Sequence, residues 1–260
     1  MMQKFEIKNR KGLKIVGELH TPENPTGLAF TMHGLGGFKE QPGIMALVDT
    51  LLAKEYVIVN FDATNSFGES EGAYEHATMQ LHYEDLVDVI EWAKTQSWYQ
   101  EPFAIAGHSL GGYAVAQYAE DHAKEVKAVF PFALVVSGQL SYEATEKFYP
   151  DKLKSWKESG WKEEQSNSKP GIIKRLPWSH MEERLLHDLR PSASKLTMPV
   201  LFVVGENDTS CPSDSQKILY DLVPGKKELH IVPNAPHTFK TPEHIEILKN
   251  IFSTWLSTLG

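Results

Sequence analysis

One stretch constrains the fold more than any other: residues 103–116, where a short apolar run ends in a G-x-S-x-G motif and a helical pattern follows. The motif runs from Gly107 to Gly111, so Ser109 is predicted at the apex of a sharp turn between a strand and a helix. A serine hydroxyl is a poor nucleophile, and it has to be presented in the open beside a base. A strained strand-to-helix turn presents it in this way, because the glycines allow close approach of the backbone.

Other apolar runs indicate further strands on both sides of this stretch. Two alternating runs within 4–22 predict an antiparallel pair at the edge of a sheet, since alternation indicates one solvated face. Further strands are predicted at 27–32, which is mostly apolar and expected to be buried, at 56–61, 126–130 and 198–205, and at 228–232 as the last strand, and Pro131 is expected to end or bend the strand at 126–130. Helical spacing or capping patterns predict helices at 43–54, 78–96 and 109–122, from a capping box at Ser213–Gln216 onward, and from Thr241 onward.

Three loops that follow predicted strands carry Ser109, Asp208 and His237, in the order nucleophile, acid, base. In such a set His237 takes the proton of Ser109 as the hydroxyl attacks a carbonyl carbon, and later protonates the leaving group. Asp208 accepts the other imidazole N–H and fixes the tautomer. The backbone N–H groups of Leu35, in a glycine-rich loop, and of Leu110 are predicted to hold the oxyanion.

Four other histidines compete with His237 for the role of base. His33 lies inside a glycine turn and is predicted to be structural, and His108 flanks the nucleophile with a side chain expected to point away from the apex. His230 is expected to be packed within a strand, and His244 falls in the last predicted helix. The loop position after the last strand favours His237.

The acid has two competitors. Glu206 lies two residues nearer the strand than Asp208, and Asp214 falls at a helix N-terminus, where a carboxylate is stabilising in its own right. Asp208 is therefore the preferred acid.

Cys211 is the one cysteine of the chain, so no intrachain disulfide can form, and a packed, inert thiol is expected.

Composition excludes several classes of partner. The chain has 260 residues and a net charge of -8, with no long basic run, which argues against nucleic acid or an anionic membrane surface. It shows neither the apolar core of a signal peptide nor an apolar stretch long enough to span a bilayer, so a cytoplasmic location is expected. The acidic residues of helix 78–96 indicate a solvated face, and no metal site and no cofactor are predicted.

Residues 139–190 differ in character from the rest of the chain, because many charged residues are interspersed there with aromatic ones. We predict a helical cap over the site and name 139–190 the cap segment; the core is then 1–138 and 191–260. Its tryptophans, Trp156, Trp161 and Trp178, are expected either to line a substrate pocket or to pack the small subdomain together.

The motifs together resemble those of the α/β-hydrolase superfamily over nearly the whole chain. The matching pieces lie at 33–37, at 107–112, at 205–208 with Pro212, and at 236–239. The chain is similar to single-domain esterases, feruloyl esterases and monoacylglycerol-lipase-like members with a small lid. One piece departs: relatives often have D-x-x-G-x-G-x-S after the strand at 56–61, whereas here Asp62 is six residues from Gly68, and Asn65 and Ser66 stand where a glycine is usual.

The resemblance implies an α/β-hydrolase fold, with a mostly parallel, twisted sheet of eight strands flanked by helices, and chemistry through an acyl-serine intermediate. We therefore expect a serine hydrolase that acts on a small-molecule carboxylic ester, with an apolar or aromatic group as a hypothesis from the cap aromatics. Hydrolysis of peptide, thioester or C–C bonds by the same triad remains open. A non-catalytic binding protein that has kept the fold is the alternative from another class, and the oligomeric state is not predicted.

Overall fold

A computed structural model describes residues 1–166 and 169–259. Asn167 and Ser168, which the sequence places in the cap segment, and Gly260 lie outside the described residues. The strands are β1 (Met2–Lys8), β2 (Lys14–His20), β3 (Gly27–Met32), β4 (Tyr56–Phe61), β5 (Phe103–His108), β6 (Val126–Phe132), β7 (Trp161–Gln165), β8 (Ile173–Pro177), β9 (Val200–Gly205) and β10 (Lys227–Val232). The α-helices are α1 (Pro42–Leu52), α2 (Met79–Ala93), α3 (Leu110–Asp121), α4 (Gly138–Phe148), α5 (Pro150–Ser159), α6 (Ser179–Arg184), α7 (Ser213–Leu222) and α8 (Pro242–Leu256).

Eight of these strands form one sheet in the order β1-β2-β4-β3-β5-β6-β9-β10. The pairs β1–β2 and β2–β4 are antiparallel, and the other pairs are parallel. The predicted α/β fold with a mostly parallel sheet of eight strands is therefore confirmed. The parallel strands all end at one edge of the sheet, and this edge positions the candidate site.

Helices cover the sheet on both faces because the central strands are buried on both sides. On β3, Leu28 and Phe30 belong to the apolar cluster that contains residues of α2 and α3, whereas Ala29 belongs to the cluster that contains residues of α1 and α8. Successive side chains of a strand point to opposite faces, so the two clusters lie on opposite sides of the sheet. None of the helices in the described ranges has the length and apolarity that crossing a membrane requires.

Strand β6 continues through Pro131, whereas the sequence predicted that the regular strand ends before it. Pro131 pairs with Gly107 of β5, and the strand reaches Phe132. The N–H of Val129 donates to the carbonyl of Pro199, and the N–H of Ala133 donates to the carbonyl of Val203. The missing proline N–H thus removes one rung of the ladder toward β9, and the two flanking rungs hold the strand in place.

The cap segment is only partly helical, which corrects the prediction of a helical cap. Helices α4, α5 and α6 are present, but β7 and β8 form an antiparallel hairpin. The apolar pattern of the sequence does not predict this hairpin, because many of the side chains in both strands are charged. Cross-strand ion pairs join Glu163 to Arg175 at 3.2 Å and Glu164 to Lys174 at 3.8 Å. Such pairs stabilise strands without the alternation of apolar residues that sequence analysis searches for.

The cap segment contacts the core at defined polar points. The carboxylate of Glu183 in α6 accepts the N–H groups of Met79 and Gln80, both at 3.0 Å, at the N-terminus of α2. A carboxylate is favourable there because the first N–H groups of a helix lack intrahelical partners. At the other end, the hydroxyls of Tyr149 and Thr209 are 2.7 Å apart, which joins the α4–α5 junction to the loop after β9.

The loop after β4, which departs from the pattern of relatives, is organised by a buried carboxylate. Asp62 accepts the N–H groups of Lys39 at 2.7 Å and Glu69 at 2.8 Å, and the Lys39 ammonium lies 3.3 Å away. Asn65 has a φ of 57°, in the left-handed region where glycine is usual. Asparagine tolerates this region, so it replaces the expected glycine without loss of the turn.

Candidate active site

The turn at Ser109 has the strained geometry that its motif predicts. Ser109 lies between the end of β5 and the start of α3, with φ 55° and ψ -113°. A Cβ added at Gly107 would lie 2.3 Å from the carbonyl oxygen of Gly111, so no side chain fits at that position. The strain holds the serine at the apex of the turn, where its hydroxyl opens into a cavity.

The glycine-rich loop after β3 packs directly against this turn. A Cβ at Gly34 would lie 2.9 Å from the Cβ of Ser109, so the next residue, Leu35, is brought beside the serine. Leu110 is the first residue of α3, where an N–H has no intrahelical acceptor. Within the part of the chain that the structure describes, neither the Leu35 nor the Leu110 N–H donates to a protein acceptor. Both donors are free for a negative charge that develops beside Ser109.

The three sequence-predicted side chains meet at the carboxyl edge of the sheet. Nε2 of His237, in the loop after β10, is 3.0 Å from Oγ of Ser109. Its Nδ1 is 2.8 Å from Oδ2 of Asp208, in the loop after β9. The serine and the histidine are 128 positions apart in the chain, and only the parallel sheet brings them into contact. The arrangement allows a proton to pass from the hydroxyl to the imidazole.

The carboxylate of Asp208 is buried and has hydrogen-bond donors on both oxygens. Oδ1 accepts the N–H groups of Ser210 at 2.9 Å and Cys211 at 2.8 Å, and Oδ2 faces His237. Burial alone raises the pKa of Asp208, but His237 and the two N–H groups outweigh it and lower the pKa below its usual value. The group is therefore a carboxylate at neutral pH, fixed to accept the Nδ1–H of the imidazole.

The side chain of His108 was expected to point away from the apex of the turn, but it faces the loop that carries His237. Its Nε2 donates to the backbone carbonyl of His237 at 2.9 Å, and the two rings are 4.9 Å apart. Burial, followed by the charge on His237, lowers the pKa of His108 to about 3. His108 is thus a neutral donor that supports the loop of His237, and its buried ring does not contact Ser109 through a hydrogen bond.

The other competing histidines are held away from the nucleophile. His33 is buried, donates to the carbonyl of Gly34 and accepts the N–H of Ala63, as a structural residue does. His230 was expected to be packed, and this prediction is wrong: it lies on the edge strand β10 with a side chain 39% exposed. His244 is buried in α8.

The competing acids have other environments, whereas Cys211 lies in the wall of the same cavity as Ser109. Glu206 accepts the N–H of Asn234 at 2.8 Å, and Asp214 is exposed on α7. Cys211 is buried, and burial followed by the charge of Asp208 raises the pKa of its thiol. The thiol is therefore packed and protonated at neutral pH, and its lack of reactivity stays a prediction.

A cavity of about 970 Å³ joins Ser109 and His237 to the cap segment. Ser109 and His237 lie in its wall, and Trp156 and Trp161 of the cap segment line it as well. Trp178 does not line it but packs edge-to-face on Trp156, with ring centroids 5.4 Å apart. The tryptophans were expected either to line a pocket or to pack the cap segment together. Trp156 does both, whereas Trp178 packs within the cap segment and does not line the cavity.

Two cavity residues escaped the sequence analysis. Arg184 of α6 donates to Oγ of Ser141 at 2.8 Å and to Nε2 of His180 at 3.0 Å, and Tyr74 faces the same cavity from the core. His180 and Arg184 are four residues apart, which places them on one face of α6. That spacing is the only signal in the sequence, and the many surface charges of the cap segment conceal it. Among the described residues, no group of three or more His, Cys, Asp or Glu side chains is arranged to hold a metal ion.

Comparison with known proteins agrees with this architecture. The family model of Hydrolase_4, described as serine aminopeptidase, S33, matches residues 23–241. An uncharacterized 31.7 kDa protein in the traX-finO intergenic region of Escherichia coli is 27% identical over 210 residues, which are 70% of this chain and 73% of that protein.

Several solved structures share the fold. Est1E from Butyrivibrio proteoclasticus, with bound ferulic acid, has a TM-score of 0.79 and 20% identity, and 98% of each chain is covered. The α/β hydrolase GrgF from Penicillium sp. sh18 has a TM-score of 0.78 and 17% identity, with 100% of this chain and 98% of that chain covered. Mouse α/beta hydrolase domain-containing protein 10 has a TM-score of 0.77 and 17% identity, with 99% and 100% covered. At these identities the likeness shows the fold.

Proposed function

The chain belongs to the Hydrolase_4 family (serine aminopeptidase, S33) of the α/β-hydrolase superfamily and is a hydrolase, and we propose that it cleaves carboxylic esters through an acyl-serine intermediate. One observation carries the proposal: the hydrogen-bonded series from Oγ of Ser109 through His237 to Asp208, with distances of 3.0 and 2.8 Å. The pKa of Asp208, which is lowered, supports an acid that stays charged while it orients the imidazole.

The reaction follows from these contacts. Oγ of Ser109 attacks the ester carbonyl carbon as Nε2 of His237 takes its proton, and the imidazolium is stabilised by Asp208. The tetrahedral intermediate collapses when the imidazolium protonates the departing alcohol, which leaves the acyl group on Ser109. Water then attacks this acyl-serine with His237 as base, and the carboxylic acid and the free serine are regenerated.

The negative oxygen of each tetrahedral intermediate requires donors fixed in advance. The N–H groups of Leu35 and Leu110 are our candidates, because both flank Ser109 and have no protein acceptor among the described residues. One such donor typically contributes about 3 kcal/mol to stabilisation of the transition state.

The charges of the cavity favour an ester over a peptide with a free amino terminus. An aminopeptidase holds the substrate ammonium with an unpaired carboxylate, but Glu164 lies 3.2 to 3.8 Å from three lysine ammonium groups, those of Lys152, Lys162 and Lys174. Glu163 is paired with Arg175. The carboxylates of the cap hairpin that face the cavity are thus already compensated, and the remaining carboxylate of the wall, that of Asp151, is exposed in the first turn of α5. These contacts support an ester substrate over that of an aminopeptidase.

The cap segment supplies the remaining walls of the proposed substrate site. Trp156, Leu176 and Met181 form a buried apolar cluster at the cavity, which supports a small-molecule ester with an apolar or aromatic part. Est1E, which shares the fold, binds ferulic acid, an aromatic acid. We treat 139–190 as a cap over the core of 1–138 and 191–260 on this basis.

The test is turnover of a short p-nitrophenyl ester by Ser109→Ala. The variant should lose about 10⁴-fold or more in kcat, because it has no nucleophile. Ser194→Ala, at an exposed serine, is the matched control and should retain full activity. Unchanged turnover by Ser109→Ala would refute the proposal, and a wild-type chain that hydrolyses none of a panel of esters would favour the non-catalytic alternative.

A further inference from the structure

Arg184 is the feature of the cavity that the proposed reaction does not use. Its guanidinium lies in the cavity wall, and its two hydrogen-bond partners, Ser141 and His180, are both uncharged groups. No carboxylate lies within 4.0 Å of it in residues 1–166 and 169–259. Its Nε is buried without any hydrogen-bond partner. A guanidinium has five N–H donors, so most of its donor capacity is unused.

The neutral state of His180 is fixed by its own contacts. Nδ1 of His180 donates to the carbonyl of Ala77 at 2.7 Å, so Nε2 is the acceptor that faces Arg184. Burial, followed by the charge of Arg184, lowers the pKa of His180 to about 3. The neighbouring carboxylate of Glu183 is engaged with the N-terminus of α2 and with His187, so it does not neutralise the guanidinium.

The hydroxyl of Tyr74 adds a second unused hydrogen-bond donor, which comes from the core and not from the cap segment. It lies between β4 and α2, its ring stacks on Phe67 with centroids 4.9 Å apart, and it lines the same cavity. No described residue forms a hydrogen bond with its hydroxyl. Tyr74 also packs against the apolar cluster of Trp156, Leu176 and Met181, on the same side of the cavity as Arg184, and desolvation raises the pKa of its hydroxyl. Tyr74 therefore remains a neutral phenol that can donate.

A buried cation without an anion is unfavourable, because desolvation of the charge is not compensated. An arginine fork is suited to a planar carboxylate, which it binds through two parallel hydrogen bonds. The cavity wall holds four cationic side chains and three carboxylates, so it is slightly positive although the net charge of the chain is -8: the cations are Lys152, Lys162, Lys174 and Arg184, and the carboxylates are Asp151, Glu163 and Glu164. The unpaired guanidinium of Arg184 thus fits an anionic group that is part of the substrate.

We propose that Arg184, with the hydroxyl of Tyr74, binds a free carboxylate on the substrate, so that the esters hydrolysed at Ser109 are esters that carry a second, ionised acid group. This inference rests on the proposed function and narrows its substrate class. The ester carbonyl lies at Ser109 and His237, and the carboxylate lies at the cap end of the same cavity.

The experiment compares esters that differ only in this group. The acyl-side pair is the monomethyl ester of suberic acid and the same ester with the free acid replaced by a primary amide. The alcohol-side pair is the butyrate ester of ω-hydroxyhexanoic acid and that of its primary amide. On the side that faces Arg184, wild-type kcat/KM should be about 10- to 100-fold higher for the acid than for the amide, as expected for hydrogen bonds to a charged group.

Variants connect the preference to Arg184. Arg184→Gln should lose the preference for the acid over the amide, while Tyr74→Phe, which removes only a hydroxyl, should raise KM for the acid with little change in kcat. Arg190→Gln, at an arginine already paired with Asp188 at 2.7 Å, is the matched control and should keep the preference. Equal kcat/KM for acid and amide in both pairs would overturn the inference while leaving ester hydrolysis intact.

A binding measurement separates this inference from the proposed function. Suberic acid should raise the Tm of Ser109→Ala, and its diamide should not. The shift should be absent from the double variant with Arg184→Gln. If no ester is hydrolysed by the wild type but the shift is present, the proposed function fails and carboxylate binding stands. If suberic acid gives no shift in Ser109→Ala, carboxylate binding is contradicted.

Discussion

The carboxyl edge of the main sheet and the cap segment meet at one cavity, but they are built in different ways. At the edge, Asp208 has donors on both carboxylate oxygens, and His237 is fixed between it and Ser109. In the cap segment, Arg184 has a buried Nε without a partner, and the buried apolar cluster has only three members. The three side chains at the edge are held by protein contacts, with only the N–H groups of Leu35 and Leu110 free, which suits chemistry; the guanidinium in the cap segment keeps unused donors, which suits selection of a substrate.

The largest effect in this comparison is expected at Asp208. In Asp208→Asn the side-chain oxygen stays on the N–H groups of Ser210 and Cys211, so the new NH2 group faces Nδ1 of His237. Nδ1 must then accept, Nε2 carries the proton, and the imidazole cannot take the proton of Ser109.

We expect kcat for an ester to fall by about 10⁴-fold in Asp208→Asn, with KM nearly unchanged. Steady-state kinetics with a p-nitrophenyl ester measure this, and an unchanged circular dichroism spectrum establishes that the variant folds. Asp214→Asn, at the exposed competitor, is the control and should match the wild type. A loss of activity confined to Asp214→Asn would reassign the acid.

Stability should also differ between the two regions. Phe130 of β6 is buried in the main core, and Phe130→Ala should lower the global free energy of unfolding by about 3 to 5 kcal/mol. Trp156 is also buried, but the buried members of its cluster all belong to the cap segment and the core adds only the partly buried Leu35 and Tyr74, so Trp156→Ala should open the cap locally, raise KM and change global unfolding by less than about 1 kcal/mol.

Urea denaturation and amide hydrogen exchange test this contrast. Exchange in Trp156→Ala should be faster in α5 and the β7–β8 hairpin, and unchanged in β5 and β6. A global loss for Trp156→Ala as large as that for Phe130→Ala would mean that the cap segment and the sheet unfold as one unit.

A smaller effect concerns one buried neutral histidine from each region, His108 at the edge and His180 in the cap segment, each with a pKa of about 3. The pKa of histidine in an unfolded chain is about 6.5. The folded pKa is therefore the lower one, so the stabilisation is full above pH 6.5 and is lost as the pH falls toward 3, by up to about 1.4 kcal/mol per pH unit for each group.

The contribution of each histidine to this pH dependence can be isolated with a variant that keeps the hydrogen bond but does not titrate. In His108→Gln the amide can still donate to the carbonyl of His237, and the free energy of unfolding should fall less steeply below pH 6.5 than in the wild type. For His180 this loss concerns local opening of the cap segment, which precedes unfolding of the sheet, so His180→Asn should leave the slope of the global free energy of unfolding unchanged. Urea titrations at a series of pH values give both slopes, and equal slopes in wild type and His108→Gln would contradict the buried neutral state.

The same contrast determines what could be predicted from the sequence. Apolar runs predicted the bounds of the strands at 27–32 and 56–61. Motifs in the loops predicted the three residues at the sheet edge, because parallel strands all end at the same edge of the sheet. Patterns did not predict the β7–β8 hairpin or the position of Arg184, since neither depends on apolar periodicity. The prediction of a capping box at Ser213–Gln216 was also wrong, because Gln216 is buried and donates to the carbonyl of Leu134 at 2.8 Å.

The central claim, that Ser109 is a nucleophile activated by His237 and Asp208, is tested most directly by covalent trapping. The wild-type chain is treated with a fluorophosphonate, and the adduct is located by mass spectrometry of its peptides. The account predicts one adduct, on Ser109, at a rate that falls strongly in Asp208→Asn. An unlabelled wild-type chain, or an adduct on a residue other than Ser109, would contradict it.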